Sequence, residues 1–210
     1  MAGDCLLVLM KGHPGTGKST LARALARALC CPLIDKDDVR DCTMHLEALE
    51  DASSSTSNPP RSGDIPATIL NDLSYQVMWR IAATQLSLGL TVIVDSPLSS
   101  LQRFQEAEQS AAATGARILV IECAPSKEEV WKERVERRAA AAAQSASSSG
   151  WHKPSTWADI EVLMSRYQGC WNYDVGLNPK LTLDTGDFVI SPEQLLTQAL
   201  DFVRTYAAKS

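Results

Sequence analysis

The sequence predicts an α/β fold in which a parallel sheet is covered by helices on both faces. Three observations predict it. Five short apolar runs recur along the 210 residues, at 5–10, 32–35, 91–95, 117–123 and 181–184. Helix-forming segments separate them, the alternation that parallel strands need because each crossover takes a dozen or more residues. The runs are continuous rather than alternating, as in strands buried on both faces.

The first run, CLLVLM, leads into Gly12-His13-Pro14-Gly15-Thr16-Gly17-Lys18-Ser19, which fits the phosphate-loop pattern G-x-x-x-x-G-K-[ST]. Glycines let the backbone turn sharply, so that successive N–H groups can wrap a phosphate chain. The helix expected over 18–30 adds unpaired N–H donors at its start. Gly12 through Thr20 are therefore the expected nucleotide cradle. Lys18 supplies a point charge for the terminal phosphates, and the Ser19 hydroxyl is placed to ligate Mg²⁺. Leu21, Leu25 and Leu29 form a core stripe on that helix, with Arg23 and Arg27 on its solvated face.

The second run, PLID, opens into Lys36-Asp37-Asp38-Val39-Arg40, and a helix is expected over 38–50 with Asp38 as its N-cap. The polar residues emerge at the carboxyl end of the sheet, where open α/β folds hold their ligands. An aspartate there can take the proton of an incoming hydroxyl or orient it, and Arg40 can pair with an anionic group. Asp35 either supports Asp37 or only ends the strand. Residues 52–66, polar and rich in serine and proline, are expected to form a mobile insert.

A helix over 69–88 carries Tyr75 and Trp79 at i, i+4, as acceptor-side residues or as core. The third run, TVIVD, ends in Asp95, a carboxylate beside the phosphate loop that can hold Mg²⁺ or meet the acceptor. Helices follow at 100–114, 127–143, 156–168 and 192–206, with Gly115 closing one of them. Arg134 and Arg138 share a face of the third-last helix, ahead of the flexible run AAAAAQSASSSG at 139–150, which places a lid near 134–150. Arg137, on another face, can pair with Glu133. His13 is read as tuning the loop, and Trp151, His152, Trp157 and Trp171 are left between core and site.

Net charge is −5, from 20 basic and 25 acidic side chains, which argues against a dedicated nucleic-acid binder. No apolar run approaches a membrane span, and the first strand begins too early for a signal or transit peptide ahead of it. The six cysteines have no metal spacing, with Cys5 and Cys123 in core strands. A cytoplasmic protein with reduced thiols is expected.

These residues resemble the small P-loop kinases that include phage polynucleotide kinase, adenylylsulfate kinase, chloramphenicol phosphotransferase and zeta toxin. In two of these a D-[DN]-x-R stretch follows strand two, and Asp37-Asp38-Val39-Arg40 matches it. The resemblance implies a three-layer P-loop NTPase fold with a five-stranded parallel sheet ordered 2-3-1-4-5, in one kinase domain over 1–210. It implies that Asp37 is the base, that Arg40 clamps the substrate, and that Arg134 and Arg138 stabilise the transferring phosphoryl group. Residues 181–185 would lie beside the adenine. The implied activity is ATP- and Mg²⁺-dependent phosphorylation of a hydroxyl on a small metabolite. The rival readings are a regulatory NTPase read by a protein partner and a 5′-hydroxyl nucleic-acid kinase. The acceptor cannot be carried over, because 52–66 falls where it is usually held.

Overall fold

The computed structural model describes residues 5–46, 65–144, 151–167, 170–187 and 189–207. The expected insert at 52–66 lies outside them except for its last two residues, as does the 145–150 part of the expected lid.

Five parallel strands form the sheet: β1 (Leu6–Lys11), β2 (Leu33–Asp35), β3 (Val92–Asp95), β4 (Arg117–Cys123) and β5 (Lys180–Leu183). Their spatial order is β2-β3-β1-β4-β5, as expected from the sequence. Among the described residues seven α-helices accompany them: α1 (Lys18–Leu29), α2 (Lys36–Asp41), α3 (Ala67–Ser87), α4 (Leu101–Thr114), α5 (Glu128–Gln144), α6 (Trp157–Tyr167) and α7 (Pro192–Ala207).

Alternate residues of the continuous apolar strands feed two cores. Leu7, Leu9, Val92, Val94 and Val120 pack against α3 and α4 through Met78, Leu86 and Phe104. Leu6, Val8, Met10, Ile93 and Ile121 pack against α1 and α7 through Leu25, Ala199 and Val203. Each such side chain contributes about 1.5–3 kcal/mol when buried. A third cluster, Trp131, Val135 and Ile160 with Trp157 against them, joins α5 to α6.

The second helix departs from expectation. It starts at Lys36 rather than Asp38 and ends at Asp41, with a separate 3₁₀ turn over Met44–Leu46. The physical reason is the cap: the Asp35 carboxylate accepts the Asp37 N–H at 3.0 Å, so the helix begins directly off the strand. Asp38 is thus a helix-interior residue and not the N-cap. Thr43 then draws its hydroxyl onto the Arg40 carbonyl at 2.8 Å, competing with continuation of the helix.

Register sets the site. Asp35 stands opposite Asp95, and Asp95 opposite Met10. The ends of β2, β3 and β1 therefore open together at one edge.

Candidate active site

The phosphate loop is built from left-handed glycines. Gly15 (φ 85°) and Gly17 (φ 89°) hold conformations that other residues rarely adopt. A Cβ at Gly15 would also come within 2.6 Å of Val135 Cγ2 on α5. The loop is tied to that helix by the Trp131 indole, which donates to the Pro14 carbonyl at 2.7 Å. Thr16 is buried, donating to the His13 carbonyl, while Ser19 is half-buried and Thr20 exposed in the first turn of α1.

His13 lies in an aromatic box. Trp171 stacks on it at 3.6 Å between centroids, Trp131 at 5.3 Å, and Tyr167 leans in at 5.6 Å. Burial, reinforced by the charge of Lys11, drives its pKa down to about 4. The ring is neutral at physiological pH. Lys11 is buried behind it, paired with Glu122, and lies 4.3 Å from the Trp171 ring centroid.

Lys18 Nζ meets Asp95 Oδ1 at 2.8 Å and the Ser19 hydroxyl at 3.5 Å. Burial works against the lysine charge, but Asp95, Asp37 and Asp35 outweigh it and hold the pKa above the ordinary lysine value. Lys18 is thus half of a buried ion pair. Asp95 Oδ2 is buried with no hydrogen-bond partner. Burial and the neighbouring Asp95 push Asp35 up to about 6. Arg23, expected only on a solvated face, reaches Asp35 at 3.4 Å.

Asp37 gathers three groups. Lys36 Nζ lies 3.2 Å away, Lys153 Nζ 2.8 Å and His152 Nε2 3.2 Å. Burial pushes its carboxyl up, yet the His152 hydrogen bond and the two lysine charges prevail and hold it well below the usual carboxylate range. Arg40 is buried, donates to Thr43 Oγ1 at 2.6 Å and faces the Trp151 ring at 4.8 Å.

Of the expected arginines, Arg134 approaches the phosphate loop: a Cβ on Gly17 would lie 3.9 Å from its Nη1. Arg138 donates to the Pro154 carbonyl and lies in the field of Asp37. Arg137 pairs with Glu133 at 3.7 Å in solvent. Tyr75 is buried near this edge, with the Arg103 guanidinium 4.0 Å from its ring centroid and Lys36 Nζ 5.6 Å away. Trp79 is not brought to Asp37. Its indole donates to Glu106 at 3.1 Å and lines a separate groove of about 720 Å³ between α3 and α4.

A family model described as an AAA domain matches residues 7–153, from the first strand through Lys153. The chain belongs to this AAA domain family. An uncharacterized protein of Mycobacterium tuberculosis (strain H37Rv) is 32% identical over 137 residues. The match covers 63% of this chain and 26% of that protein, so the chain spans about a quarter of the length of the curated relatives it matches. A provisionally assigned kinase from Chloroflexus aurantiacus has 25% identity and a TM-score of 0.72, covering 100% of this chain and 99% of its own. The Mycobacterium tuberculosis APS kinase, solved with AMPPNP and APS, has 16% identity and a TM-score of 0.59, covering 96% and 99%. The fold of this AAA domain is that of the P-loop kinases.

Sequence reasoning left His152 undecided and missed Lys36 and Lys153 as partners of Asp37. The signal available was the dense Trp151-His152-Lys153-Pro154 stretch directly after a low-complexity run. Among the described residues of the AAA domain, no group of three or more His, Cys, Asp and Glu converges on a metal position, and no helix is long and apolar enough to cross a membrane. The six cysteines are free, with Cys5 and Cys123 buried in the core.

Proposed function

We propose that residues 1–210 work as one kinase domain that transfers the γ-phosphoryl group of ATP to a hydroxyl of a small metabolite. The observation that carries this reading is the convergence of two sequence elements at one sheet edge. The phosphate loop with Lys18 ends β1, and Asp37 follows β2, close enough that its charge helps hold Lys18 protonated. An ionised aspartate held by His152 and two lysines beside the phosphate loop supports an acceptor-orienting role.

Gly12, His13, Pro14, Gly15, Thr16, Gly17, Lys18, Ser19 and Thr20 cradle the phosphates in this reading. Ser19 and Asp95 would hold Mg²⁺. The buried, unpartnered Asp95 Oδ2 fits that assignment, because such an oxygen is costly without a proton or a cation. The ion supplies charge neutralisation on the phosphates when bound. Asp37 orients the acceptor hydroxyl, and its depressed pKa makes it a better hydrogen-bond acceptor than proton abstractor. Arg40 and Tyr75 belong to the acceptor side. Arg134 and Arg138 neutralise charge on the phosphoryl group in flight.

The test is to incubate the protein with γ-labelled ATP, Mg²⁺ and fractions of a metabolite extract. Label in an organic phosphate ester supports the reading. Label found only in inorganic phosphate, or turnover that requires a macromolecular fraction, contradicts it.

A further inference from the structure

Four consecutive residues between α5 and α6 meet the acceptor side of the site. Trp151 faces the Arg40 guanidinium, which lies 4.8 Å from its ring centroid. His152 Nε2 lies 3.2 Å from Asp37 Oδ1, and Lys153 Nζ lies 2.8 Å from Oδ2 of the same carboxylate. The Pro154 carbonyl accepts from Arg138 Nη2. Asp37, Arg40 and Arg138 therefore all meet one stretch of chain, although His152 and Asp37 stand 115 positions apart in sequence. These are three of the residues that the kinase reading gives to the acceptor and to the phosphoryl group in flight.

Both Asp37 oxygens are engaged, Oδ1 by Lys36 and His152 and Oδ2 by Lys153. An acceptor hydroxyl has to donate to one of them, and the Arg138 Nη2 that serves Pro154 is not turned to a phosphoryl oxygen. Residues 151–154 lie in neither helix nor strand, so side-chain contacts and not a backbone ladder seat them on α2. Directly behind them the Asp159 carboxylate accepts from the Ser155 and Thr156 N–H groups at 2.9 and 2.8 Å, which fixes the start of α6. The stretch can leave Asp37 while α6 keeps its cap.

We propose that residues 151–154 are an internal occupant of the acceptor side, an autoinhibitory contact that the acceptor displaces. This rests on the kinase reading and adds its regulation. The acceptor hydroxyl takes the place of His152 and Lys153 on Asp37, and Arg138, released from Pro154, turns to the phosphoryl group. Without acceptor, the contact keeps Asp37 and Arg138 from serving water beside bound ATP. Its cost is affinity, because the apparent affinity for a ligand falls with the fraction of protein competent to bind it.

The parent and a variant carrying His152→Ala with Lys153→Ala are given γ-labelled ATP, Mg²⁺ and serial dilutions of a metabolite extract, and initial rates of labelled ester are compared. The variant should reach half its maximal rate at an extract concentration about threefold or more below the parent's, with a maximal rate no lower. An unchanged or higher half-saturation point, or a lower maximal rate, overturns the inference and leaves the kinase reading standing, since the segment then does not compete or else builds the acceptor pocket. Absence of labelled ester with both proteins overturns the kinase reading, and the inference with it. A second measurement needs no variant: reductive methylation of Lys153 in the parent, followed by mass spectrometry. Methylation should be faster with a non-hydrolysable ATP analogue plus the extract fraction that yields ester than with the analogue alone. Equal or slower methylation overturns the inference, because the acceptor then binds with the segment in place.

Discussion

His152 Nε2 lies 3.2 Å from Asp37 Oδ1, and its Nδ1 lies 3.3 Å from Asp41, so one imidazole spans two carboxylates of α2. With Lys36 and Lys153 it keeps Asp37 ionised well below neutral pH. The pH profile of phosphoryl transfer should therefore show no acid limb from Asp37 between about pH 5 and 8, where a tuned general base shows one. The measurement is kcat against pH in the His152→Gln variant and the parent. A limb near neutrality that shifts with His152→Gln would mean that Asp37 titrates in the working range.

Lys18→Met should impair both chemistry and folding. Loss of a charge-stabilising donor lowers turnover by on the order of 10²–10³. The substitution also strands the buried Asp95 carboxylate next to Asp35, at a cost of about 3–5 kcal/mol. Adding Asp95→Asn should recover most of the thermal stability and none of the activity. Normal stability in the single variant would show that the Lys18–Asp95 pair is not buried in solution.

Asp35 is expected to destabilise the nucleotide-free protein at neutral pH. Its folded pKa, about 6, exceeds the ordinary aspartate value of 3.8, so the folded state holds the proton more tightly. Its contribution is greatest below the ordinary value and declines as pH rises through about 4 to 6, by up to about 3 kcal/mol. Asp35→Asn keeps the helix cap and removes the charge. The variant should melt higher than the parent at about pH 7.5 and gain little near pH 4. An equal gain at both values would contradict the raised pKa.

Closure of the α5 region is expected to hinge beyond Val135. Trp131 and Val135 are buried against the phosphate loop, which fixes the turn carrying Arg134. Hydrogen exchange should find residues 131–136 protected without nucleotide, and 139–144 slowed only when ATP and acceptor analogues are both bound. Arg138→Ala should lower turnover with little change in the thermal midpoint. Exchange at 139–144 that is indifferent to both ligands would remove the assigned role of Arg138.

The five strands and the phosphate loop were legible because their signals are local, whereas the strand order came from the resemblance that the loop and the Asp37–Arg40 stretch carry. An apolar strand, a glycine pattern and a helix adjoin in sequence, and continuous apolarity reports burial on both faces. The placement of Asp37 and Arg40 at this edge of the sheet was legible because they follow the end of β2. The start of α2 was not, since Asp35 had two roles open to it and the cap decided between them. Lys153, His152 and the Trp131–His13–Trp171 stack were hidden for a different reason: tertiary packing unites residues more than 100 positions apart in the first case and joins three elements in the second. Trp79 was left open between the acceptor side and the core because i, i+4 spacing with Tyr75 defines a face but not what the face meets. Glu106 on α4 meets it instead.

The central claim is that Asp37 serves the acceptor and the phosphate loop serves the nucleotide. Asp37→Asn keeps the shape and removes the charge, so ATP affinity and single-turnover transfer measured on that variant separate the two roles. The account predicts ATP affinity within about threefold of the parent, and transfer to the acceptor lower by ~10²–10⁴, the usual consequence of losing the group that aligns and accepts from the nucleophile. Collapse of ATP affinity while bound nucleotide still reacts at the parental rate would contradict it, and would make Asp37 a nucleotide or metal ligand.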